Sequence, residues 1–327
     1  MDSNGLVGSE LTAREKAAVE AEIGRVVSSR SDLIPQVHQH LVQAGGKRLR
    51  PELALLSAKA VSESNERTIV FGALVEITHL ASLLHDDIVD DAETRRGRES
   101  VNVRWSNGVA VLVADWLIAR AYGELLQRHE SAALEVLTSA VRAMCEAELV
   151  HIERRAEMFE LQEDTYLDII SSKTGALMAA ACELGGISAG ATAEELAALR
   201  HYGMSMGAAF QIQDDLLDLT GDPELLGKPV GTDIAMGQLT LPVIYALQHS
   251  GDGLLRELRD AVAIGSPDQL NLTRLRTLVD RAGGIDYARG TAGRLVGEAG
   301  DALASFPGVA ATSEMRALAA RAVERAM

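Results

Sequence analysis

The chain has 327 residues, of which 47% are hydrophobic, 24% charged and only 3% aromatic, and its formal net charge is −16. That composition excludes a disordered polypeptide, and the acid excess excludes nucleic acid as a partner, because such binding rests on Lys and Arg neutralising phosphates. An anionic substrate would have to be held by local cations or bound metal against the overall field.

Residues 1–10 read as a loose tail, with neither the basic region nor the apolar run of a signal peptide. No stretch reaches the about 20 apolar residues of a transmembrane segment. Cys145 and Cys182 are too few for a disulfide framework and suit reduced thiols in a cytoplasmic protein. From Leu11 onward the apolar content is carried by Ala, Leu and Val at helical spacing, so 11–327 is expected to form one large all-α domain.

Breaks fall at Gly45-Gly46, Arg96-Gly97, Gly185-Gly186, Asp222-Pro223, Ser266-Pro267 and Gly283-Gly284. Val70, Leu74, Ile77, Leu80, Leu84 and Ile88 recur at three- and four-residue steps and predict a helix over 66–93. Further helices are predicted over 108–128, 131–158, 163–185, 192–220 and 236–249, with shorter ones to the C-terminus. Residues 221–235 form the longest predicted loop, with a length and content that suit a functional role.

Two segments carry the same acidic pattern, Asp-Asp-x-x-Asp. One includes Asp86, Asp87 and Asp90, and the other Asp214, Asp215 and Asp218. Residues four apart share a helix face, so each pattern sets like charges side by side within apolar surroundings. Mg²⁺ answers that repulsion, because it takes one or two carboxylates together with substrate phosphates. A solvated acidic face would explain one such cluster, but two near-identical ones inside apolar helices point to metal. Gly45-Gly46-Lys47-Arg48-Leu49-Arg50-Pro51 and Arg95-Arg96-Gly97-Arg98 add dense cations. Alone these would read as surface salt bridges. Beside dense carboxylates they suggest a polyphosphate site.

The ordered segments GGKRLRP, HLASLLHDDIVDDAETRRG, KTGAL, FQIQDDLLDLTGDPELLGKPVGTD and TLP resemble the trans-isoprenyl (polyprenyl) diphosphate synthases, over Gly45 to Pro242. The resemblance implies a helical domain around a deep central cavity, a homodimer, and condensation of isopentenyl diphosphate with an allylic diphosphate. It places Asp86, Asp87, Asp90, Asp214, Asp215 and Asp218 as ligands of about three Mg²⁺. Arg95, Lys173 and Lys228 match contacts to the allylic diphosphate. Lys47, Arg50, His79 and Arg96 match the isopentenyl diphosphate pocket, and Thr174 and Gln211 match positions whose oxygens face the developing carbocation. Ala81 and Ser82 stand where a large aromatic would stop chain growth in this family. Both are small, so the expected product is medium to long, about C30 to C50.

Two positions depart from the family pattern. Gln238 stands where Lys is frequent, and His151 where Gln is usual. The alternatives are a short-chain synthase making farnesyl, geranylgeranyl or geranylfarnesyl diphosphate, a terpene cyclase, and a non-catalytic subunit of a heteromeric synthase. The intact basic motifs oppose the cyclase, and the two intact aspartate motifs oppose the inactive subunit.

Overall fold

Asn65 commits the following chain to helix. Its side-chain oxygen accepts from the backbone N–H of Arg67 (2.9 Å) and Thr68 (3.2 Å), and Thr68 Oγ1 accepts from the Asn65 N–H at 3.1 Å. This reciprocal cap satisfies donors that a helix start otherwise leaves open. The helix it begins, Glu66–Val89, is the central element of its surroundings.

A computed structural model of the chain describes residues 12–154, 159–222, 230–262, 271–306 and 310–324, and it is all-α. Among these residues the strands are Thr94–Arg95 and Arg98–Glu99, a single antiparallel pair closed by Arg96-Gly97. The 1–10 tail, the Ser266-Pro267 break, the end of the helix predicted over 131–158 and residues 223–229 of the predicted loop lie outside the described residues.

The chain divides into two compact units. The first comprises residues up to Thr138 with Ala180–Arg200 and Ala302–Leu318. In it Glu66–Val89 packs against Ala13–Val26, Leu49–Val61 and Asn107–Gln127. It buries Phe71, Leu74, Val75, Ile77, Leu80 and Leu84, each large side chain contributing about 1.5–3 kcal/mol. By length and apolarity this helix could cross a membrane, but 72% of its most apolar window is buried inside the protein. Midway along it the buried Glu76 accepts from Arg48 Nη1 at 2.9 Å.

The second unit comprises Ser139–Ala179, His201–Asp301 and the residues from Ala319. Its core joins Tyr166, Ile212 and Leu216 to Leu241, Ile244, Leu275, Leu278 and Ile285. Gly283, at φ 78°, makes the predicted turn between Leu272–Arg281 and Gly284–Ala302.

Three predicted helices differ by more than a residue. The helix predicted over 66–93 ends at Val89, in a turn described below. The one predicted over 163–185 is Glu163–Ile170, a π-helical turn Ser171–Gly175, and then Ala176–Ala189. Gly185-Gly186 therefore breaks nothing. A Cβ at Gly185 would lie 2.2 Å from the Ala54 carbonyl oxygen and 2.9 Å from Ser57 Cβ, so glycine serves close helix packing there. The helix predicted over 236–249 starts at Leu241, because Gly237 is left-handed (φ 75°) and Pro242 belongs in a first turn.

These two roles of glycine separate by mutation. Gly185→Ala should lower stability by about 1–3 kcal/mol through overpacking. Gly290→Ala, in open space on the Gly284–Ala302 helix, should raise it by about 0.4–1 kcal/mol. Urea midpoints at unchanged slope measure both.

Candidate functional site

In the first unit the acidic motif lies at the carbonyl end of Glu66–Val89. Asp90 leaves helical geometry and Asp91 is left-handed at φ 47°. The Ala92 N–H then reaches Asp87 O (2.9 Å) and the Asp91 N–H reaches Ile88 O (3.3 Å), closing a Schellman turn with aspartate in the position usually given to glycine. Asp87 is 1% exposed. Its Oδ1 accepts from Arg95 Nε at 2.8 Å and lies 2.8 Å from Nη2 of the same guanidinium, while its Oδ2 is buried and accepts no hydrogen bond. Asp86 and Asp90 are half-buried. A buried carboxylate oxygen left open at a negative helix end fits a cation. Divalent-metal chemistry therefore suits the residues present.

The basic residues of this unit converge on His79. Burial holds its imidazole well below the usual histidine range, followed by the positive fields of Arg50, Arg95, Arg96 and Arg48. Arg50 is pulled below the ordinary guanidinium value by burial, with Glu76 and Asp86 opposing, and its Nε is buried without a hydrogen-bond partner. Arg96 sits at φ 51°, and its Nη1 lies 3.4 Å from where a Cβ on Gly46 would be. Lys47 is exposed on the adjoining turn. Guanidinium groups gathered around a neutral imidazole fit an anion. Arg48 belongs elsewhere, bonded through Nε to Glu20 (2.5 Å) and through Nη1 to Glu76.

In the second unit a polar chain runs through Asp215. Tyr166 OH donates to Asp215 Oδ2 at 2.6 Å, Gln211 Nε2 donates to Oδ1 at 2.8 Å, and Thr174 Oγ1 donates to Gln211 Oε1 at 2.9 Å. Burial pushes the Asp215 carboxyl up to about 6; the bonds from Tyr166 and Gln211 oppose this, and Asp214 and Asp218 add to it. Asp218 holds the following loop. Its Oδ1 accepts from Thr232 Oγ1 (2.7 Å) and the Thr232 N–H (3.3 Å), and its Oδ2 from the Asp233 N–H (3.2 Å). A carboxylate has about four lone-pair positions in all, more than the two bonds to Asp215 or the three to Asp218 use, so both retain capacity for metal. Asp214 is half-buried.

Lys173 and Thr174 stand in the π-helical turn, a geometry frequent at functional sites. Lys173 Nζ lies 2.5 Å from Glu148 Oε2. Two close crossings hold this turn. A Cβ on Gly207 would lie 2.4 Å from Gly175 Cα, and one on Gly203 would lie 2.5 Å from Ala179 Cα. Thr174 is thereby held beside Gln211, one turn beyond Gly207. Lys228 lies outside the described residues. Sequence reading missed Tyr166 and did not foresee the contacts of Glu148 and Thr232, whose partners are distant in the chain. Among the described residues no three carboxylate, imidazole or thiol groups form a ready-made metal cage.

Residues 31–274 match the polyprenyl synthetase family. The chain is 36% identical over 317 residues to the octaprenyl diphosphate synthase of Escherichia coli K12, covering 97% of this chain and 98% of that protein. It superposes on a decaprenyl diphosphate synthase from Rhodobacter capsulatus with TM-score 0.90 and 36% identity, over 96% and 97% of the two chains. A polyprenyl synthase from Caulobacter crescentus, solved with calcium and isoprenyl diphosphate, gives TM-score 0.89 and 36% identity over 95% of each chain.

Because the bond from Tyr166 lowers the Asp215 pKa, Tyr166→Phe should move it upward from about 6 in metal-free protein. Carbon-13 titration of the carboxyl measures that shift. The lost donor should also lower stability by about 1–3 kcal/mol, read from the urea midpoint.

Proposed function

The chain belongs to the polyprenyl synthetase family, and from that premise we propose that it condenses isopentenyl diphosphate with an allylic diphosphate. The product is an all-trans polyprenyl diphosphate of about C30 to C50. The observation that carries this reading is the pairing of opposite needs in the first unit. Asp87 Oδ2 lacks a donor and Arg50 Nε lacks an acceptor, as a metal–diphosphate site requires.

Lys47, Arg50, Arg96 and the neutral His79 hold isopentenyl diphosphate, whose phosphate oxygens complete the buried guanidinium donors. Arg95, Lys173 and Lys228 bind the allylic diphosphate. The six motif aspartates, Asp86, Asp87, Asp90, Asp214, Asp215 and Asp218, would hold about three Mg²⁺. When bound, the metal supplies Lewis-acid stabilisation of the charge building on the leaving diphosphate.

Asp215 fixes the Gln211 amide, so Gln211 Oε1 accepts the hydrogen bond that Thr174 Oγ1 donates. That leaves the Thr174 oxygen with its lone pairs available to stabilise positive charge. The allylic cation is captured by the isopentenyl double bond, and the proton lost in forming the new double bond passes to the released diphosphate. Water exclusion protects the cation. No histidine or serine triad is required, in keeping with a neutral His79 whose part is binding.

Product length is supported by the small side chains on Glu66–Val89 and by the octaprenyl and decaprenyl relatives. Ala81, Thr78 and Val75 are buried, while Ser82 is half-buried with its hydroxyl donating to His79 O at 2.9 Å. Ser82 is thus the position where added bulk meets a growing chain at least cost to packing.

We also read the protein as a cytoplasmic homodimer. Leu112, Ala119 and Leu126 form an exposed stripe at seven-residue steps on Asn107–Gln127, with Leu112 70% and Leu126 67% exposed. A second copy would cover that stripe, and sedimentation at about twice the chain mass would report it.

Purified protein with Mg²⁺, isopentenyl diphosphate and an allylic primer should elongate to about C30 to C50, and Ser82→Phe or Ala81→Phe should shorten the product. Absence of elongation by well-folded protein with every primer would sink the enzymatic reading. An unchanged product from both variants would sink the account of length.

A further inference from the structure

Glu148, on Ser131–Arg154, has both carboxylate oxygens buried, and neither takes part in a hydrogen bond within the described structure. Its charge is compensated by the ion pair to Lys173, whose Nζ lies 2.5 Å from Oε2. The two side chains are 15% and 31% exposed, so the pair is shielded from water on the carboxylate side and open on the lysine side. A buried carboxylate is costly without a counter-charge, so this geometry restrains the ammonium strongly.

The backbone beneath Lys173 is equally constrained. The π-helical turn inserts an extra residue between Glu163–Ile170 and Ala176–Ala189, which rotates Lys173 away from the register a continuous α-helix would give it. Gly175 packs closely on the neighbouring helix, where a Cβ would lie 2.9 Å from Met204 Sδ and 3.0 Å from Met204 O. Lysine is a point charge on a flexible stem with many rotamers. Held at its base by the turn and at its tip by Glu148, it becomes a fixed charge.

We propose that Glu148 is a positioning residue, whose buried carboxylate holds the Lys173 ammonium ready to meet the allylic diphosphate. This rests on the functional reading above, in which Lys173 contacts that diphosphate. Electrostatic stabilisation is most effective when the charge is placed before the reaction begins and need not reorganise. The pair also explains why an acid stands beside an anion site. Its repulsion of the diphosphate is offset by the ammonium between them, while its attraction keeps that ammonium in place.

Glu148→Gln tests this by keeping shape and removing charge. In wild-type background the variant should weaken binding of inorganic diphosphate with Mg²⁺ about 10-fold by calorimetry and raise the KM for the allylic substrate similarly. The KM for isopentenyl diphosphate and the melting temperature should hold. In a Lys173→Gln background the same change should alter diphosphate binding less than about two-fold, because the two residues act as one unit. Equal losses in both backgrounds, or no loss in the first, would overturn the proposal. Should Glu148→Gln fail to fold, Glu148→Asp carries the same cycle, with a smaller loss in wild-type background and none without Lys173. Wild-type protein that binds diphosphate without elongating any primer would refute the functional reading, and the calorimetric cycle would still decide the role of Glu148.

Discussion

The carbonyl end of an α-helix carries partial negative charge, and here two long helices place their aspartates there. Asp86, Asp87 and Asp90 close Glu66–Val89, and Asp214, Asp215 and Asp218 occupy the last two turns of Ala193–Thr220. Electrostatics alone would favour cations at both ends. The protein supplies only part of that compensation. Arg95 answers one oxygen of Asp87 and leaves the other buried and open. Tyr166 and Gln211 answer Asp215 only with dipoles, and burial, with Asp214 and Asp218 adding to it, still pushes its carboxyl up to about 6 against them. The residual demand for positive charge is the chemical property from which metal binding, and hence diphosphate chemistry, follows.

The cations obey the complementary logic, and geometry divides them in a way that composition does not. Arg48 and Arg50 are two residues apart in one basic segment. Arg48 is bonded to Glu20 and Glu76 and secures Leu49–Val61 to its neighbours. Arg50 keeps a buried donor unanswered. Arg95 has its guanidinium on a motif aspartate, and Lys173 its ammonium on Glu148. Two of the cations proposed to bind diphosphate, Arg95 and Lys173, are thus restrained by acids before any substrate arrives.

Much of this was legible in the sequence, because the signals were local. The Asp-Asp-x-x-Asp patterns, the glycine turn before Lys47 and the Arg96-Gly97 turn all declare themselves within a few residues. The helical class followed from an Ala- and Leu-rich chain with few aromatics. What escaped depends on distance. Tyr166 and Asp215 lie 49 residues apart, and nothing near either announces the bond. Gly185 looked like a breaker, since a local rule cannot see that Ala54 will press against it. Nothing in the Ser-Ser-Lys-Thr-Gly sequence of the π-helical turn Ser171–Gly175 marks a change of register, and the packing of Gly175 on Met204 and Gly207 accompanies it.

Unmet negative charge at Asp87 is what draws metal and diphosphate to the first unit. Thermal melting of the wild-type protein and Asp87→Asn, with Mg²⁺ and inorganic diphosphate added singly and together, tests it most directly. The melting temperature of the wild type should rise with Mg²⁺ and rise further, beyond the sum of the separate effects, when both are present. Asp87→Asn should lose most of that joint gain. A wild-type melting temperature indifferent to Mg²⁺ and diphosphate, or an equal gain in Asp87→Asn, would contradict it.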